Sequence, residues 1–266
     1  MSGVHEHNAR AWNRRVRRGE RFTRPAEDGL LNDHGSGANV DPWLGDVRGQ
    51  RVLCLAAGGG RQSAIYAAAG AIVTVVDISG EMLALDREVA AGRKLDVRTV
   101  EASIDDLAPL ADAAFDAVVQ PVSTCYVVDV AAVYREVARV LDDDGLYISQ
   151  HKQPASLQAG AQRTSGAWEL SQPYYRNGPL PDGGDTPHRE GGTLEFLHRW
   201  EQLIGGMCRA GFVIEDLVEP HHANPQAAAN SFGDRSLYLP PYVRIKARRR
   251  GRRDATARKR LWLNNG

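Results

Sequence analysis

Arg51–Asp77 reads RVLCLAAGGGRQSAIYAAAGAIVTVVD, an apolar strand followed by a glycine loop, a helix and a second strand that ends on a carboxylate. Gly58 and Gly60 let the backbone turn sharply and let a ligand approach closely, and the helix after them points free N–H groups into the same space. Asp77 stands at the tip of the second strand, where a carboxylate can accept hydrogen bonds from both hydroxyls of a ribose. The order of these elements therefore predicts a ligand that contains adenosine.

Two classes of cofactor are bound by such a loop, and these residues alone leave the choice open. Dinucleotide-binding proteins carry the pattern G-x-G-x-x-G, whose third glycine allows the helix to pack closely against the strand. Gly58 and Gly60 fit the first two positions, but Ser63 stands at the third. The ribose-binding acid is common to dinucleotides and to the other class of adenosine-containing cofactor, so the choice between them depends on the rest of the chain.

The composition is that of one large α/β domain. The chain has 266 residues, of which 42% are hydrophobic and 25% are charged, which is enough for a sizeable core. No apolar run reaches the roughly 20 residues that span a bilayer, and the N-terminus lacks the apolar core of a signal peptide. We therefore expect a cytoplasmic protein with no membrane partner. Cys54, Cys125 and Cys208 show no paired spacing and are expected to be buried thiols.

The formal net charge of zero hides a basic C-terminus. Arg244–Arg260 contains ten Lys or Arg residues and one acid, which leaves 23 basic against 32 acidic residues, about −9, for the rest of the chain. We expect residues 249–266 to form a basic, flexible tail. The alternative is a nucleic-acid contact, because clustered arginines displace counterions from phosphates.

Short apolar segments rich in β-branched residues alternate with helical patterns from Arg51 onward. This alternation predicts a parallel sheet that is covered by helices on both faces. The predicted strands are 51–55, 72–76, 97–101, 116–120, 146–150, 212–219 and 242–247, and the predicted helices are 62–69, 80–91, 131–141 and 194–210. Because no helix separates the last two strands, they should pair antiparallel. The predicted fold class is α/β, a doubly wound, mostly parallel seven-stranded sheet with a C-terminal antiparallel hairpin.

Two further segments are expected to flank this sheet. Residues 1–50 form a predicted N-terminal cap, with a helix around Trp12 and a polar loop after it, and residues 51–248 form the main domain. Residues 151–193 are rich in Pro, Gly, Gln and Ser and lack periodicity, which indicates a lid inserted into that domain. We expect both segments to cover a pocket at the carboxyl edge of the sheet.

Five stretches of the chain match, in order, the motifs of one known superfamily. They are VLCLAAGGG, VTVVDISGEML, FDAVVQPVSTCYVVD, VARVLDDDGLYIS and LHRWEQLIGGMCRAGFVIEDLVEP. With them the region from Arg51 to Arg248 resembles the class I S-adenosylmethionine-dependent methyltransferases, in particular their small-molecule, methyltransferase type 11-like members. The resemblance implies transfer of a methyl group from S-adenosylmethionine to a small-molecule acceptor.

The resemblance also implies which residues bind the cofactor. The glycine loop would lie beside its amino-acid end, Asp77 would bind its ribose, and the end of the third strand would lie against its adenine. The full implied set is Ala56, Ala57, Gly58, Gly60, Asp77, Ile78, Met82, Ser103, Ile104 and Gln120. Cys54 and Ala56 depart from the motif h-h-D-h-G-x-G-x-G, which has an acid and a glycine at these positions. Another group must therefore order the loop.

Methyl transfer from a sulfonium is an in-line displacement that depends mainly on positioning and on the exclusion of water. A base is required only if the acceptor has to lose a proton. The candidate catalytic residues are His151 after the fifth strand, His198 on the late helix and Tyr126 after the fourth strand, although either histidine could instead be structural. Aromatic residues of the lid could shape the acceptor pocket or only fix the lid to the body: Trp168, Tyr174, Tyr175 and His188.

Three other functions stay open from the sequence. The arginines of both termini would suit an RNA methyltransferase, and the glycine loop with its ribose acid would suit an NAD(P)-dependent oxidoreductase. A non-catalytic binder of S-adenosylmethionine would explain the departures at Cys54 and Ala56. No metal site is expected, because His221 and His222 are adjacent and no third ligand stands at a suitable spacing.

Overall fold

A seven-stranded sheet forms the middle layer of the protein, with strand order β3-β2-β1-β4-β5-β7-β6. The computed structural model describes residues 3–25, 40–163 and 166–251. The strands in that part of the chain are β1 Arg51–Leu55, β2 Ile72–Asp77, β3 Val97–Glu101, β4 Phe115–Gln120, β5 Leu141–Lys152, β6 Phe212–Val218 and β7 Tyr242–Arg249. Strands β1 to β5 pair in parallel, whereas β7 pairs antiparallel with both β5 and β6. The predicted fold class is confirmed.

Helices cover both faces of this sheet. In the described ranges they are α1 Gly3–Arg17, α2 Gln62–Ala68, α3 Gly80–Arg93, α4 Val130–Val140, α5 Pro154–Gln158, α6 Trp200–Arg209 and α7 Phe232–Ser236, with a short 3₁₀ turn at Thr124–Tyr126. Helix α3 begins at a side-chain cap, because the Ser79 hydroxyl accepts a hydrogen bond from the Met82 N–H. That cap fixes the start of α3 directly after β2, where the predicted ribose acid stands.

Alternate residues of β1 belong to two separate cores. Leu53 packs in a cluster with Tyr134 of α4 and Leu203 of α6, whereas Cys54 packs with Tyr66 of α2 on the opposite face. Both faces of the strand are therefore buried, as the near-continuous apolar run of the sequence predicts. The burial of Cys54 also removes its thiol from contact with ligands, since its residue is 0% exposed.

Several element boundaries differ from the sequence prediction, and two of them bear on the site. Strand β5 continues to Lys152, because His151 and Lys152 pair with Val243 and Tyr242 of β7, so the predicted lid starts later than residue 151. The late helix starts at Trp200 rather than at residue 194. Residues before it have other backbone partners, and the Phe196 N–H donates to the carbonyl of residue 125 at 2.7 Å. His198 is therefore a loop residue.

The basic C-terminus begins within strand β7, which extends to Arg249, the first residue of the predicted tail. Arg244, Lys246 and Arg248 lie in the predicted main domain, and each pairs with an acid, Asp41 in the first case and Glu215 in the other two. These three basic residues are therefore structural parts of the hairpin. Residues 252–266 of the predicted tail lie outside the described residues.

Two smaller observations complete the description. Cys54 and Cys125 are buried as expected, but Cys208 is exposed on α6. Among the helices of residues 3–25, 40–163 and 166–251, none is both long and apolar enough to cross a membrane.

Candidate active site

A cavity of about 770 Å³ opens at the carboxyl ends of the parallel strands. Residues at and just after the ends of β1 to β5 line one side of it, and α1 lines the other side together with Arg21, Phe22 and Arg24. On the side of β1 to β3 the lining residues are Ala56, Ala57, Gly58, Gly59, Asp77, Ile78, Met82, Ser103 and Ile104. On the side of β4 and β5 they include Pro121, Val122, Ser123, Tyr126, Val127, Gln150 and Lys152. The site is thus at the edge where open α/β sheets bind ligands.

The glycine loop turns away from β1 at Ala56, whose φ is 47°. This left-handed conformation favours glycine, so Ala56 adopts it at a cost of about 1 kcal/mol. Gly58 has a different requirement, which is space. A Cβ added to Gly58 would lie 2.7 Å from the Cβ of Met82 and 2.9 Å from Oδ2 of Asp77. Only glycine lets the loop lie against β2 and α3 at this position.

Asp77 is held at the end of β2 by two backbone donors. Its Oδ2 accepts from the Gly58 N–H at 3.0 Å and its Oδ1 from the Ser79 N–H at 2.9 Å. Each carboxylate oxygen keeps a further lone pair, and the residue lines the cavity. Burial raises the pKa of Asp77 to about 6, although these hydrogen bonds favour its charged form. The carboxylate can therefore accept two more hydrogen bonds from a ligand with a pair of hydroxyls.

Asp86 of α3 orders the glycine loop from below. Its carboxylate accepts from the Gly59 N–H at 2.9 Å and from the hydroxyl of Ser63, and the residue is only 1% exposed. Burial raises its pKa, against the hydrogen bonds from Ser63 and Gly59. Asp86 thus performs the loop-ordering task that the sequence leaves unassigned when Cys54 replaces the acid at the end of β1.

The end of β3 contributes Ser103 and Ile104 to the cavity, whereas Asp105 turns to a different partner. Asp105 accepts from the Ser103 hydroxyl at 2.5 Å and contacts Nε2 of His5 at 3.0 Å. The contact with His5 ties the start of α1 to the edge of the sheet. Ser103 and Ile104 are therefore the residues of this segment that a planar ligand can contact.

Helix α1 is fastened over the cavity by Asn8, which is 2% exposed. Its side-chain amide donates to the carbonyl oxygens of Tyr126 and Leu194 at 3.0 and 3.1 Å, and its oxygen accepts from the Leu194 N–H at 2.8 Å. Trp12 packs edge-on against the ring of Tyr126 at 5.8 Å between ring centroids. The predicted cap around Trp12 therefore covers the side of the cavity near β4.

A buried polar network lines the other end of the cavity. Tyr126 donates its hydroxyl proton to Oε2 of Glu190 at 2.6 Å, and Nζ of Lys152 donates to the same oxygen at 2.8 Å. Lys152 also contacts Oε2 of Glu195 at 3.1 Å, and Arg189 lies 3.4 Å from that carboxylate. Lys152 and Glu190 are each 6% exposed, and both line the cavity with Tyr126.

The charges of this network compensate each other. Burial alone would raise the pKa of Glu190, but Lys152 and the hydrogen bond from Tyr126 outweigh it, and the pKa lies below its ordinary value. Burial likewise opposes the charge on Lys152, yet its acidic neighbours raise the pKa. Burial and the charge of Glu190 raise the pKa of Tyr126 well above its usual range. At neutral pH the network holds an ion pair and a protonated phenol.

Four residues of the expected site do not line the cavity. Gly60 packs against α3, where an added Cβ would lie 2.8 Å from Val89. Gln120 is 1% exposed and its side chain bonds to Ser123 at 2.8 Å and to the hydroxyl of Tyr147. Both support the walls of the site rather than face it.

The two histidines are the other residues that lie elsewhere. His151 is 0% exposed and its ring nitrogens contact the hydroxyls of Thr124 and Ser149 at 2.9 and 2.8 Å. Nε2 of His198 contacts the carbonyl oxygens of Thr124 and Val127 at 3.0 and 3.1 Å. Burial lowers the pKa of His151 to about 3 and also lowers that of His198. Their assignment as candidate catalytic residues is corrected: His151 fastens the 3₁₀ turn to β5, and His198 fastens it to the loop before α6.

The lid aromatic residues also lie outside the cavity lining. Tyr174 packs with Leu157, Leu180 and Leu197, and Tyr175 is 75% exposed. Tyr174 therefore fixes the segment after β5, and its hydroxyl also accepts from the Trp200 N–H at 3.3 Å at the start of α6. The residues of this region that do face the cavity, Lys152 and Glu190, carried no motif, and only the position of Lys152 at a strand end could have indicated it.

Several known proteins that resemble this chain are methyltransferases. A family model described as a methyltransferase domain matches residues 53–149. A Bacillus subtilis (strain 168) protein, the uncharacterized methyltransferase YbaJ, is 32% identical over 237 residues, which cover 82% of this chain and 91% of that protein. The structure of an S-adenosylmethionine-dependent methyltransferase from Mesorhizobium loti is 26% identical with a TM-score of 0.63, over 78% of this chain and 94% of that one.

A more distant structure shares the fold over nearly the full chain. It is geranyl diphosphate C-methyltransferase from Streptomyces coelicolor A3(2), in complex with Mg²⁺, geranyl diphosphate and S-adenosyl-L-homocysteine, at 16% identity and a TM-score of 0.57. It covers 94% of this chain and 99% of its own. This distant structure shows the shared fold. The similarity to YbaJ over most of both chains, together with the matched methyltransferase domain, shows the family. The chain belongs to the class I S-adenosylmethionine-dependent methyltransferases.

Proposed function

We propose that the acceptor of this methyltransferase is a small molecule that binds beside the cofactor in the cavity described above. The observation that carries the proposal is the size of the cavity. Its volume of about 770 Å³ falls within the roughly 300–1,000 Å³ typical of small-ligand pockets. His5, Asn8 and Trp12 of α1 line it, and Asn8 is bonded to the backbone of Tyr126 and Leu194. A cavity of this size beside a fastened helix favours a compact acceptor over a polymer.

The residues on the side of β1 to β3 fit S-adenosylmethionine. Asp77 keeps lone pairs for the two ribose hydroxyls, and Gly58 leaves open the space that a Cβ would need. Ser103 and Ile104 form a wall suited to the adenine. When bound there, the cofactor supplies an electrophilic methyl group on a sulfonium. We infer that these residues orient it so that the methyl group points toward β4 and β5.

The opposite side of the cavity then receives the acceptor. Trp12, Val122 and Val127 supply apolar surface, and Tyr126 supplies a hydroxyl. Holding two reactants at attack distance and away from water can by itself provide several kcal/mol of the barrier reduction, on the order of 7–11 kcal/mol in the best cases. The chain's main contribution to the reaction would accordingly be positioning and shielding by α1 and the walls.

Membership of the methyltransferase family argues against the alternative of an NAD(P)-dependent oxidoreductase, but an RNA acceptor needs its own test. Arg244, Lys246 and Arg248 are paired with acids inside the hairpin, which weakens the argument from the basic C-terminus for that stretch. The experiment compares release of S-adenosylhomocysteine with a small-metabolite extract and with total RNA as acceptors. Release with the extract alone is the expected result, and release with RNA alone would overturn the proposal.

A pair of variants makes this test specific to the cavity. Val122→Trp should fill the acceptor side and abolish release with the metabolite extract, while calorimetry still detects binding of S-adenosylmethionine. Val128 is 59% exposed nearby, and Val128→Trp serves as the control that should keep both properties. Undiminished release by Val122→Trp would show that the acceptor binds elsewhere.

A further inference from the structure

We propose that Glu190, reached through the hydroxyl of Tyr126, accepts the proton of the methyl acceptor, and that the acceptor is a weakly acidic hydroxyl compound, a phenol or an enol. This inference rests on the proposed function and adds to it a base, a relay and a substrate class. It starts from the network in which Tyr126 and Lys152 both donate to Oε2 of Glu190, at 2.6 and 2.8 Å.

The hydrogen-bond inventory of the network leaves defined groups for a ligand. The phenolic proton of Tyr126 is committed to Glu190, so the lone pairs of its oxygen are left to accept from the cavity side. Two of the three protons of Lys152 go to Glu190 and Glu195, which leaves one donor. A ligand that donates an O–H to Tyr126 and places oxygen charge near Lys152 would satisfy both.

The charges around Glu190 explain why a base is available there. Lys152 faces it from β5, Tyr126 from the 3₁₀ turn, and Arg21 lies 3.9 Å from its Oε1, too far for a hydrogen bond. Glu195, the other acid, contacts Lys152 and Arg189 instead. Glu190 therefore stays ionised at neutral pH, and when it takes one proton Lys152 still keeps Glu195 as a counterion.

In the proposed step the acceptor oxygen forms a bond to the methyl carbon while the carbon–sulfur bond breaks, and the electron pair of that bond remains on sulfur. The acceptor's proton passes to the oxygen of Tyr126, and the phenolic proton of Tyr126 passes to Oε2 of Glu190. Glu190 returns the proton to water after the products leave, so no further reactant is needed.

The substrate class follows from the strength of this base. A carboxylate stabilised by Lys152 is a weak base, and proton transfer is most effective when donor and acceptor acidities are close. A phenol or enol meets this condition far better than an aliphatic alcohol. The oxyanion that develops during transfer also lies near the ammonium group of Lys152, which stabilises it.

The test uses the full-length protein, S-adenosylmethionine and a graded set of model acceptors: an alkylphenol, a nitrophenol that ionises near neutral pH, benzyl alcohol and benzylamine. Wild type should release S-adenosylhomocysteine with the phenols and not with the alcohol or amine. Turnover of the amine or alcohol in preference to the phenols overturns the inference. So does silence with the whole set when a metabolite extract supports turnover, an outcome that leaves the proposed function standing.

Glu190→Gln keeps the shape of the side chain and removes the base. We expect kcat for the alkylphenol to fall about 100-fold or more, in the range usual for general bases, with little change in the affinity for S-adenosylmethionine. Tyr126→Phe keeps the ring packed on Trp12 and should show a similar loss. Glu169→Gln, at an exposed position between β5 and α6, and Tyr238→Phe, at a residue 61% exposed, are the matched controls.

The pH profile separates a base from a structural residue. With Glu190→Gln the rate for the alkylphenol should rise about tenfold per pH unit, because only the pre-ionised acceptor reacts, whereas wild type should be flat near neutrality. The nitrophenol should be methylated by Glu190→Gln within a few fold of the wild-type rate. Equal loss for both phenols, with an unchanged pH profile, would assign Glu190 a structural role and overturn the inference.

Discussion

Replacing Asp86 by alanine is expected to loosen the glycine loop and to weaken binding of S-adenosylmethionine. Asp86 lies under the loop at 1% exposure. The alanine side chain would leave the Gly59 N–H without its 2.9 Å partner and the Ser63 hydroxyl without its acceptor. Gly59 itself lines the cavity, so a loop that has lost its contacts with Asp86 also holds the cofactor less well.

The size of the effect follows from those two contacts. A buried N–H left unsatisfied costs about 1–3 kcal/mol, and a hydrogen bond to a carboxylate contributes about 1.5–3 kcal/mol. Alanine regains roughly 0.5 kcal/mol as a better helix former, and the Ser63 hydroxyl can rotate to a new partner. We therefore expect a loss of about 2–3 kcal/mol in the free energy of unfolding. For a chain of this size that corresponds to a decrease of about 4–12 °C in Tm.

The conservative variant gives the sharper comparison. In Asp86→Asn the amide oxygen can accept from Gly59 and the amide nitrogen can donate to the Ser63 hydroxyl, so the loss should stay below about 1 kcal/mol. Glu88→Ala changes an exposed acid of the same helix and should have no effect. Thermal denaturation and calorimetric titration measure both quantities. Equal stability of Asp86→Ala and wild type, within about 0.5 kcal/mol, would refute the loop-anchor argument.

Three further predictions concern the ribose acid and the cap. Asp77→Asn should weaken binding of S-adenosylmethionine about 10–100-fold, since one charged hydrogen bond is worth about 1.5–3 kcal/mol. The control Asp96→Asn, at an exposed position, should bind the cofactor normally. Equal affinities of Asp77→Asn and wild type in calorimetry would contradict the role of Asp77. Because the pKa of Asp77 is raised from 3.8 to about 6, affinity should fall as the pH decreases below about 6. The same raised pKa means that the folded protein without cofactor holds a proton that the unfolded chain releases, so its stability should decrease as the pH rises from about 3.8 to about 6. Asp77→Asn should lose both dependences, and a pH series that is identical in the two proteins would disprove the assignment. Asn8→Ala should speed proteolysis within α1, because it removes the three side-chain hydrogen bonds of Asn8. Arg10→Ala, on the exposed face of the helix, should not. Equal cleavage rates for Asn8→Ala and wild type would show that Asn8 does not fasten the helix.

The fold could be predicted from the sequence because its determinants are local. The bounds of β1 and β3 agree with the strands predicted from apolar runs. The last two strands pair antiparallel as predicted, although their linker contains the five-residue helix α7 that the sequence did not indicate. The start of β5 could not be predicted in the same way. Residues 142–145 are DDDG, a sequence typical of a turn, and their backbone agrees with it: Asp144 has a φ of 61°, and the pairing with β4 jumps from Leu141 to Leu146. The pairing of Leu141 with Phe115 before this irregularity extends β5 toward its N-terminus, and no local pattern indicates that pairing.

The same distinction separates the two halves of the site. The expected contacts of Ala56, Gly58 and Asp77 with the cavity arise within one strand–loop–helix–strand unit, so short-range sequence indicates them. Lys152 meets Glu190 across 38 residues, and Asn8 meets Leu194 across 186 residues. No local pattern encodes such pairs, because each depends on where the segment after β5 folds back over the sheet.

The segment that carries Glu190 is also fastened to the helix over the cavity, and this has a consequence for the proposed base. Within residues 185–194, Arg15 contacts Asp185 at 3.0 Å, His7 contacts the Gly192 carbonyl at 2.9 Å, and Arg21 donates to the Thr186 carbonyl at 2.7 Å. A displacement of this segment would withdraw Glu190 from Tyr126 in the 3₁₀ turn and from Lys152 on β5. The proposed base is therefore complete only while the contacts between this segment and the N-terminal residues are intact. Variants that break these contacts should lower the rate with an alkylphenol by the same route as Glu190→Gln.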